Sequence, residues 1–261
     1  MPILNLDDID LYYEIVGDGE PLLFIHGLGS SCRDWEQQVS FFANRYKVIV
    51  FDVRGHGKSN KPPGPYSIPL FATDTVKMLK ALGISSAHIV GISMGGMIAF
   101  QLAVSQPEVV RSLVIVNSSP EFIVQTLKLR MQVWQRFLIV RLLGMRKIGK
   151  VLSKRLFPKA EQEELRAVFV ERWAENDAKA YREAMAAIIG WSVADRIDDI
   201  GCPTLMIAAD GDYTPVVVKE AYVERMAKAK LVVIEDSKHA LPLEKPKEFN
   251  VVLEGFLAEQ G

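Results

Sequence analysis

Four histidines and two cysteines in 261 residues leave little material for a metal centre or a disulfide scaffold. Cys32 and Cys202 lack the short spacing of metal ligands, and two separated thiols are expected to stay reduced. The opening MPILNLDDID has no basic segment leading into a long apolar one, so it does not read as a secretory signal. No apolar run reaches the roughly 18 residues that a bilayer span needs. A reducing, cytoplasmic setting is therefore the expectation. Charge of one sign is also missing: 31 Lys and Arg stand against 32 Asp and Glu, for a net charge of −1. That balance removes any global attraction to nucleic acid or to an anionic membrane. What is present is apolar material, 49% of the chain, enough for a sizeable core in one α/β domain or one domain with an insertion.

Short apolar runs recur along the chain. Ile9 to Val16 is rich in β-formers and ends in Gly17-Asp18-Gly19. Leu22–Ile25, Val48–Phe51, Ala87–Val90, Leu113–Val116, Thr204–Ile207 and Leu231–Ile234 are continuous, as in strands buried on both faces. Helical patterns separate most of them, over Thr73–Leu82 and Met94–Ser105 in particular. Strands alternating with helices imply βαβ units, a mainly parallel sheet, and functional groups beyond the carboxyl ends of its strands. Between Pro120 and Trp191 the alternation stops. That span is helical in pattern and too long for a loop, so it predicts a helical cap, 120–191, inserted between core segments 1–119 and 192–261.

Gly91-Ile92-Ser93-Met94-Gly95 follows a buried-type strand and opens a helix. A sharp strand-to-helix turn raises its central side chain above the sheet, and only glycine tolerates the close backbone approach on either side. Such a pentapeptide also arises by chance as a glycine-rich helix start, so the reading depends on partners. A serine hydroxyl needs a base. Of the four histidines, His26 and His56 lie in glycine-rich turns and His88 lies in a strand. His239 follows the last strand on a loop that can overhang the carboxyl edge. The base needs a carboxylate to fix its tautomer, and the loop after Thr204–Ile207 offers two, Asp210 and Asp212. His26-Gly27-Leu28-Gly29 supplies a tight turn whose Leu28 N–H, with that of Met94, suits an oxyanion.

Taken together, HGLG at 26–29, DVRGHGKS at 52–59, GISMGG at 91–96, PTLMIAADGDYTP at 203–215 and the region around His239 resemble the α/β-hydrolase superfamily over essentially the whole chain. The resemblance implies an α/β fold: a mainly parallel eight-stranded sheet flanked by helices, with a helical cap. It implies a triad of Ser93, Asp212 and His239, since small-x-x-Asp after strand seven puts Asp212 at the acid position, with Asp210 the runner-up. Arg54 and His56 match a structural turn of the family. Glycine usually precedes the base, where Lys238 stands. Within the superfamily the chain is most similar to 3-oxoadipate enol-lactonases and small carboxylesterases. The implied substrate is a small-molecule ester or lactone, with no cofactor, no metal and no nucleic acid. A C–C bond hydrolase is the alternative, against which Ile92 stands where asparagine would be expected. A ligand receptor that keeps the fold is a third reading.

From Phe122 to Ala160 there is no acid but ten bases: Lys128, Arg130, Arg136, Arg141, Arg146, Lys147, Lys150, Lys154, Arg155 and Lys159. The acid-rich stretch that follows predicts charge pairing between neighbouring helices and a solvated face, ahead of attraction of a carboxylate-bearing substrate or a peripheral membrane contact. Trp134 and Trp191 are the aromatic candidates for lining a pocket, although core packing is the plainer reading of each.

Overall fold

The computed structural model describes residues 2–260. Eight strands form one sheet: β1 (Ile3–Leu6), β2 (Ile9–Val16), β3 (Glu20–Ile25), β4 (Tyr46–Phe51), β5 (Ala87–Ile92), β6 (Val110–Val116), β7 (Thr204–Ala209) and β8 (Ala229–Ile234). Their order is β1-β2-β4-β3-β5-β6-β7-β8. The β1–β2 and β2–β4 pairs are antiparallel, and every later pair is parallel. The helices are α1 (Glu36–Phe42), α2 (Ile68–Ala81), α3 (Met94–Ser105), α4 (Leu127–Leu156), α5 (Glu163–Ala174), α6 (Ala178–Ile188), α7 (Val216–Val223), α8 (Leu241–Glu244) and α9 (Pro246–Ala258). None is long and apolar enough to cross a membrane, among the described residues.

The continuous apolar runs are explained by two cores. Because side chains alternate along a strand, Leu23, Ile25, Ile49, Ile89 and Leu113 meet α2 and α3 on one face. Leu22, Phe24, Val48, Val90 and Val114 meet Trp35, Phe249 and Phe256 on the other. Two elements differ from the sequence pattern. β1 is a four-residue edge strand paired to β2 alone, too short to register as a run. Helix α2 starts at Ile68 and not at Thr73, because the Ser67 hydroxyl accepts the Leu70 N–H at 3.2 Å and caps the turn.

Between β6 and β7 the chain leaves the sheet and returns through a two-stranded neck. Glu121 bridges Ser192, Val193 N–H donates to Pro120 at 2.8 Å, and Phe122 N–H donates to Trp191 at 2.9 Å. Helices α4, α5 and α6 lie inside this excursion. Val140, Ile148, Leu152, Phe169, Trp173 and Tyr181 make a third cluster, which also takes in Ala240 and touches Leu28. The helices are thereby seated on the loops after β3 and β8. Helix α4 breaks at Gly144, whose φ of 74° is a left-handed conformation that glycine adopts without penalty.

The expected charge pairing is only partly realised. Among the described residues, Arg146 pairs with Glu171 of α5 and Lys159 with Asp236, while Lys128, Arg130, Arg141, Lys147, Lys150, Lys154 and Arg155 are exposed without a carboxylate. Trp134 does not line a pocket: it is 62% exposed, on an outward stripe with Leu127, Met131, Leu138 and Leu142. Trp191 is a core residue, its indole N–H donating to Gln101 Oε1 at 3.0 Å.

Candidate active site

The strand order reverses between β3 and β5, which are paired with Ile25 opposite Gly91. The loops that follow them diverge at this switch point, where open α/β sheets take their ligands. Ser93 follows β5 at its edge. Its φ of 54° and ψ of −118° are a conformation that costs a non-glycine residue about 1–3 kcal/mol. The surroundings hold it there. Ser93 N–H donates to Val116 at 3.0 Å, and its carbonyl accepts from Met97 N–H at 3.1 Å and from the Ser118 hydroxyl at 2.7 Å. The flanking glycines are required by contact. A Cβ on Gly95 would sit 2.1 Å from the Ile25 carbonyl oxygen, and one on Gly91 2.2 Å from that of Gly95.

The loop after β3 passes over Ser93, and a Cβ on Gly27 would lie 3.4 Å from Ser93 Cβ. His26 fastens that loop. Its Nε2 accepts the Val53 N–H at 3.0 Å, which leaves the proton on Nδ1 to donate to the Gly27 carbonyl at 2.8 Å. Burial drives the His26 imidazole down to about 4, so it stays neutral and structural. His56 packs edge-on against it at 5.1 Å and is pushed down to about 3 by burial and by His26. Arg54 forks onto Asp74 at 2.7 and 2.8 Å, consistent with an architectural turn. His88 sits on β5, bonded to Ser112 at 2.8 Å and to Glu20 at 3.2 Å. The Leu28 and Met94 amides have no protein acceptor among the described residues, and Met94 is the first residue of α3.

On the loops after β7 and β8, His239 Nδ1 lies 2.5 Å from Asp212 Oδ1. The Asp212 side chain is 1% exposed. Burial opposes its ionisation, but the bonds and charges of His239 and Lys219 outweigh burial and hold the carboxyl at about 2. Asp210 is committed elsewhere: its oxygens accept the Asp236 and Ser237 amides, both at 3.0 Å, and shape the loop that carries His239. Lys238 does not need to be glycine, because the left-handed residue of that loop is Asp236, with φ 51°. No hydrogen bond joins Ser93 Oγ to His239 in this structure. Such bonds are often long before substrate binds.

Three side chains that the motifs did not single out complete the site. Lys219, fully buried, places Nζ 2.5 Å from Asp212 Oδ2 and 3.2 Å from Asn117 Oδ1. Asn117, with φ 44°, donates to the carbonyls of Lys238 and His239 at 3.2 and 3.0 Å and accepts the Ala209 N–H at 2.8 Å. It thus ties the loops after β6, β7 and β8 together, while its neighbour Ser118 holds Ser93. Tyr213 stacks on the His239 ring with centroids 4.4 Å apart. Tyr213 itself is 57% exposed, and Arg136 on α4 is among the charges that act on its phenol. A cavity of about 370 Å³ opens behind Gly29, between Asp34 and Arg172, and is lined by none of Ser93, Asp212 and His239.

A profile of the alpha/beta hydrolase fold family matches residues 20–246. The chain belongs to that family. It is 32% identical over 268 residues to a provisionally named carbamate hydrolase, RutD, of Azorhizobium caulinodans, covering 99% of each chain. It is 30% identical over 261 residues to 3-oxoadipate enol-lactonase 2 of Acinetobacter baylyi, covering 97% of this chain and 95% of that one. The enol-lactonase of Burkholderia xenovorans LB400 superposes with a TM-score of 0.91 at 22% identity, over 98% of this chain and 100% of the other, and shares the fold.

Proposed function

We propose that this α/β hydrolase cleaves a small carboxylic ester or lactone through an acyl-enzyme on Ser93. The observation that carries the reading is the buried Asp212 carboxylate bonded to His239 Nδ1 at the same sheet edge as the strained Ser93 turn. With Nδ1 engaged, Nε2 is the free base. Ser93 Oγ bonds to the acyl carbon as its proton passes to His239 Nε2. The carbonyl π pair moves onto oxygen, where the Leu28 and Met94 amides stabilise it. Collapse breaks the C–O bond, and the alkoxide takes the proton from His239. Water then repeats the sequence on the acyl-serine, releasing the carboxylic acid and restoring Ser93. In a lactone the leaving oxygen stays tethered to the acyl group.

On this reading 120–191 is a cap over the site and 1–119 with 192–261 is the catalytic core. The relatives named for an enol-lactone and for a carbamate support attack on an acyl carbon next to a heteroatom. All four working parts are polypeptide groups, so the chemistry uses no cofactor. The test is a fluorophosphonate probe, followed by a panel of p-nitrophenyl esters, simple lactones and enol-lactone. The probe is expected to label the wild type and not Ser93→Ala. Equal labelling of both proteins removes Ser93 from its role.

A further inference from the structure

Arg136 is the one member of the basic α4 stretch that is partly buried and has no carboxylate, among the described residues. Its place on the helix explains this. It lies two residues from Trp134, so the helical twist carries it to the opposite, inward face. There its Nε donates to the Tyr181 hydroxyl at 2.6 Å. The guanidinium carbon stands 5.5 Å from the Tyr181 ring and 6.0 Å from that of Trp173. Both rings crowd Gly29 of the loop over Ser93, where a Cβ would come within 2.8 Å of Trp173 and 3.0 Å of Tyr181. On the other side, the charge of Arg136 reaches Tyr213, which stacks on His239. Through Tyr181 and Trp173 the arginine is therefore packed against the loop over Ser93. Its terminal amines have no protein acceptor and are not sealed away from solvent.

Tyr181 occupies Nε, and that bond together with the two neighbouring rings restricts how the guanidinium can turn. Two terminal amines in a rigid fork remain, which is the donor geometry that matches a carboxylate. A partly desolvated cation without a counter-ion is costly in an empty site and is relieved when an anion arrives. We propose that Arg136 binds a free carboxylate on the substrate, so the ester or lactone is a monoanion carrying its charge away from the scissile bond. The inference rests on the hydrolase reading above for its reaction. Its recognition step can be measured without turnover.

Monoethyl glutarate and ethyl 5-oxohexanoate share a chain length and differ by a carboxylate against a methyl ketone. Hydrolysis followed by pH-stat should show kcat/KM for the monoanion about 10–100-fold above that for the neutral ester, the range of a charged hydrogen bond. Arg136→Gln should collapse that ratio, and Arg136→Lys should retain part of it. Equal rates on the two esters in the wild type, or a ratio unchanged in Arg136→Gln, overturns the proposal. Glutarate alone gives the second readout. It should raise the melting temperature of Ser93→Ala and leave Ser93→Ala/Arg136→Gln unmoved, and the same shift in both overturns the proposal as well. Glutarate binding that depends on Arg136, in a protein that hydrolyses no ester and does not react with fluorophosphonate, would sink the catalytic reading and leave this one standing.

Discussion

Lys219 Nζ and Asp212 Oδ2 meet at 2.5 Å with both side chains withdrawn from water. The lysine occupies the carboxylate oxygen that faces away from His239, so Asp212 is gripped at both ends. Removing one partner of a buried pair leaves the other uncompensated, at about 3–5 kcal/mol. Lys219→Met is expected to lose stability on that scale in urea unfolding and to lower kcat, because Asp212 is freed to rotate. A variant as stable and active as the wild type would show that the pair does no positioning.

The same pair sets a pH dependence. Asp212 is held at about 2 in the folded protein, against a reference value of 3.8. A depressed carboxyl adds stability that is fully present above the reference value and is lost as pH falls from there towards about 2. Lys219→Met raises the folded value and so shrinks this contribution. Urea midpoints at pH 7 and pH 3 should lie closer together in the variant than in the wild type.

His26 and His56 act over a milder range. Their folded values, about 4 and about 3, lie below the reference of 6.5. Above pH 6.5 both are neutral, folded or unfolded, and stability is at its full value. Below it the unfolded chain takes up protons that the folded chain refuses, at a cost of about 1.4 kcal/mol per histidine per pH unit. Urea unfolding at pH 7, 6 and 5 should show this decline, and His26→Gln should flatten it. A slope unchanged in the variant would mean that His26 protonates freely in the fold.

The two loop aspartates separate by activity. Asp212→Asn keeps the shape but removes the charge that stabilises the imidazolium, and a loss of about 10⁴ in kcat is expected by analogy with other triads. Asp210→Asn disturbs only the acceptors of the Asp236 and Ser237 amides. It should cost stability more than turnover. The reverse order, measured with p-nitrophenyl acetate, reassigns the acid.

Two glycines make a matched pair. Gly95→Ala drives a Cβ into the Ile25 and His26 carbonyl oxygens, at 2.1 and 2.7 Å, and should unseat the Ser93 turn and abolish fluorophosphonate labelling. Gly255→Ala in α9 meets nothing within 4 Å and should stabilise the protein by about 0.5–1 kcal/mol, through helix propensity. Thermal melts of both variants check the contrast.

The parts of this site that were legible in the sequence are those written locally. A strand, a glycine-flanked serine and a helix follow one another along the chain, so the Ser93 turn could be read directly. Asp210 and Asp212 share one loop, and no spacing argument separates them. Only the fold shows that backbone amides consume the first while His239 faces the second. Lys219 and Asn117 stand 102 residues apart, and each looks ordinary alone: a lysine after three valines, an asparagine at a strand end. Helix α4 misled for a different reason. Apolar side chains lie on both its faces, Leu127, Met131 and Leu138 outward and Val133, Phe137 and Val140 towards the protein. Periodicity cannot orient a helix with apolar side chains on both faces, so the sequence does not tell the outward Trp134 from the inward Arg136 two positions on.

The neck at Glu121 and Ser192 makes the excursion between β6 and β7 a side branch of the chain rather than a link in the sheet. Its two ends are hydrogen-bonded to each other, so the length and sequence of what hangs between them leave the strand register undisturbed. Extra chain there adds only the slow logarithmic cost of a longer closed loop. On the proposed reading, selectivity can be rewritten within the branch provided that its seat against Leu28 and Ala240 is kept. Grafting the corresponding branch of a relative onto this neck would exchange what the enzyme recognises without rebuilding how it reacts.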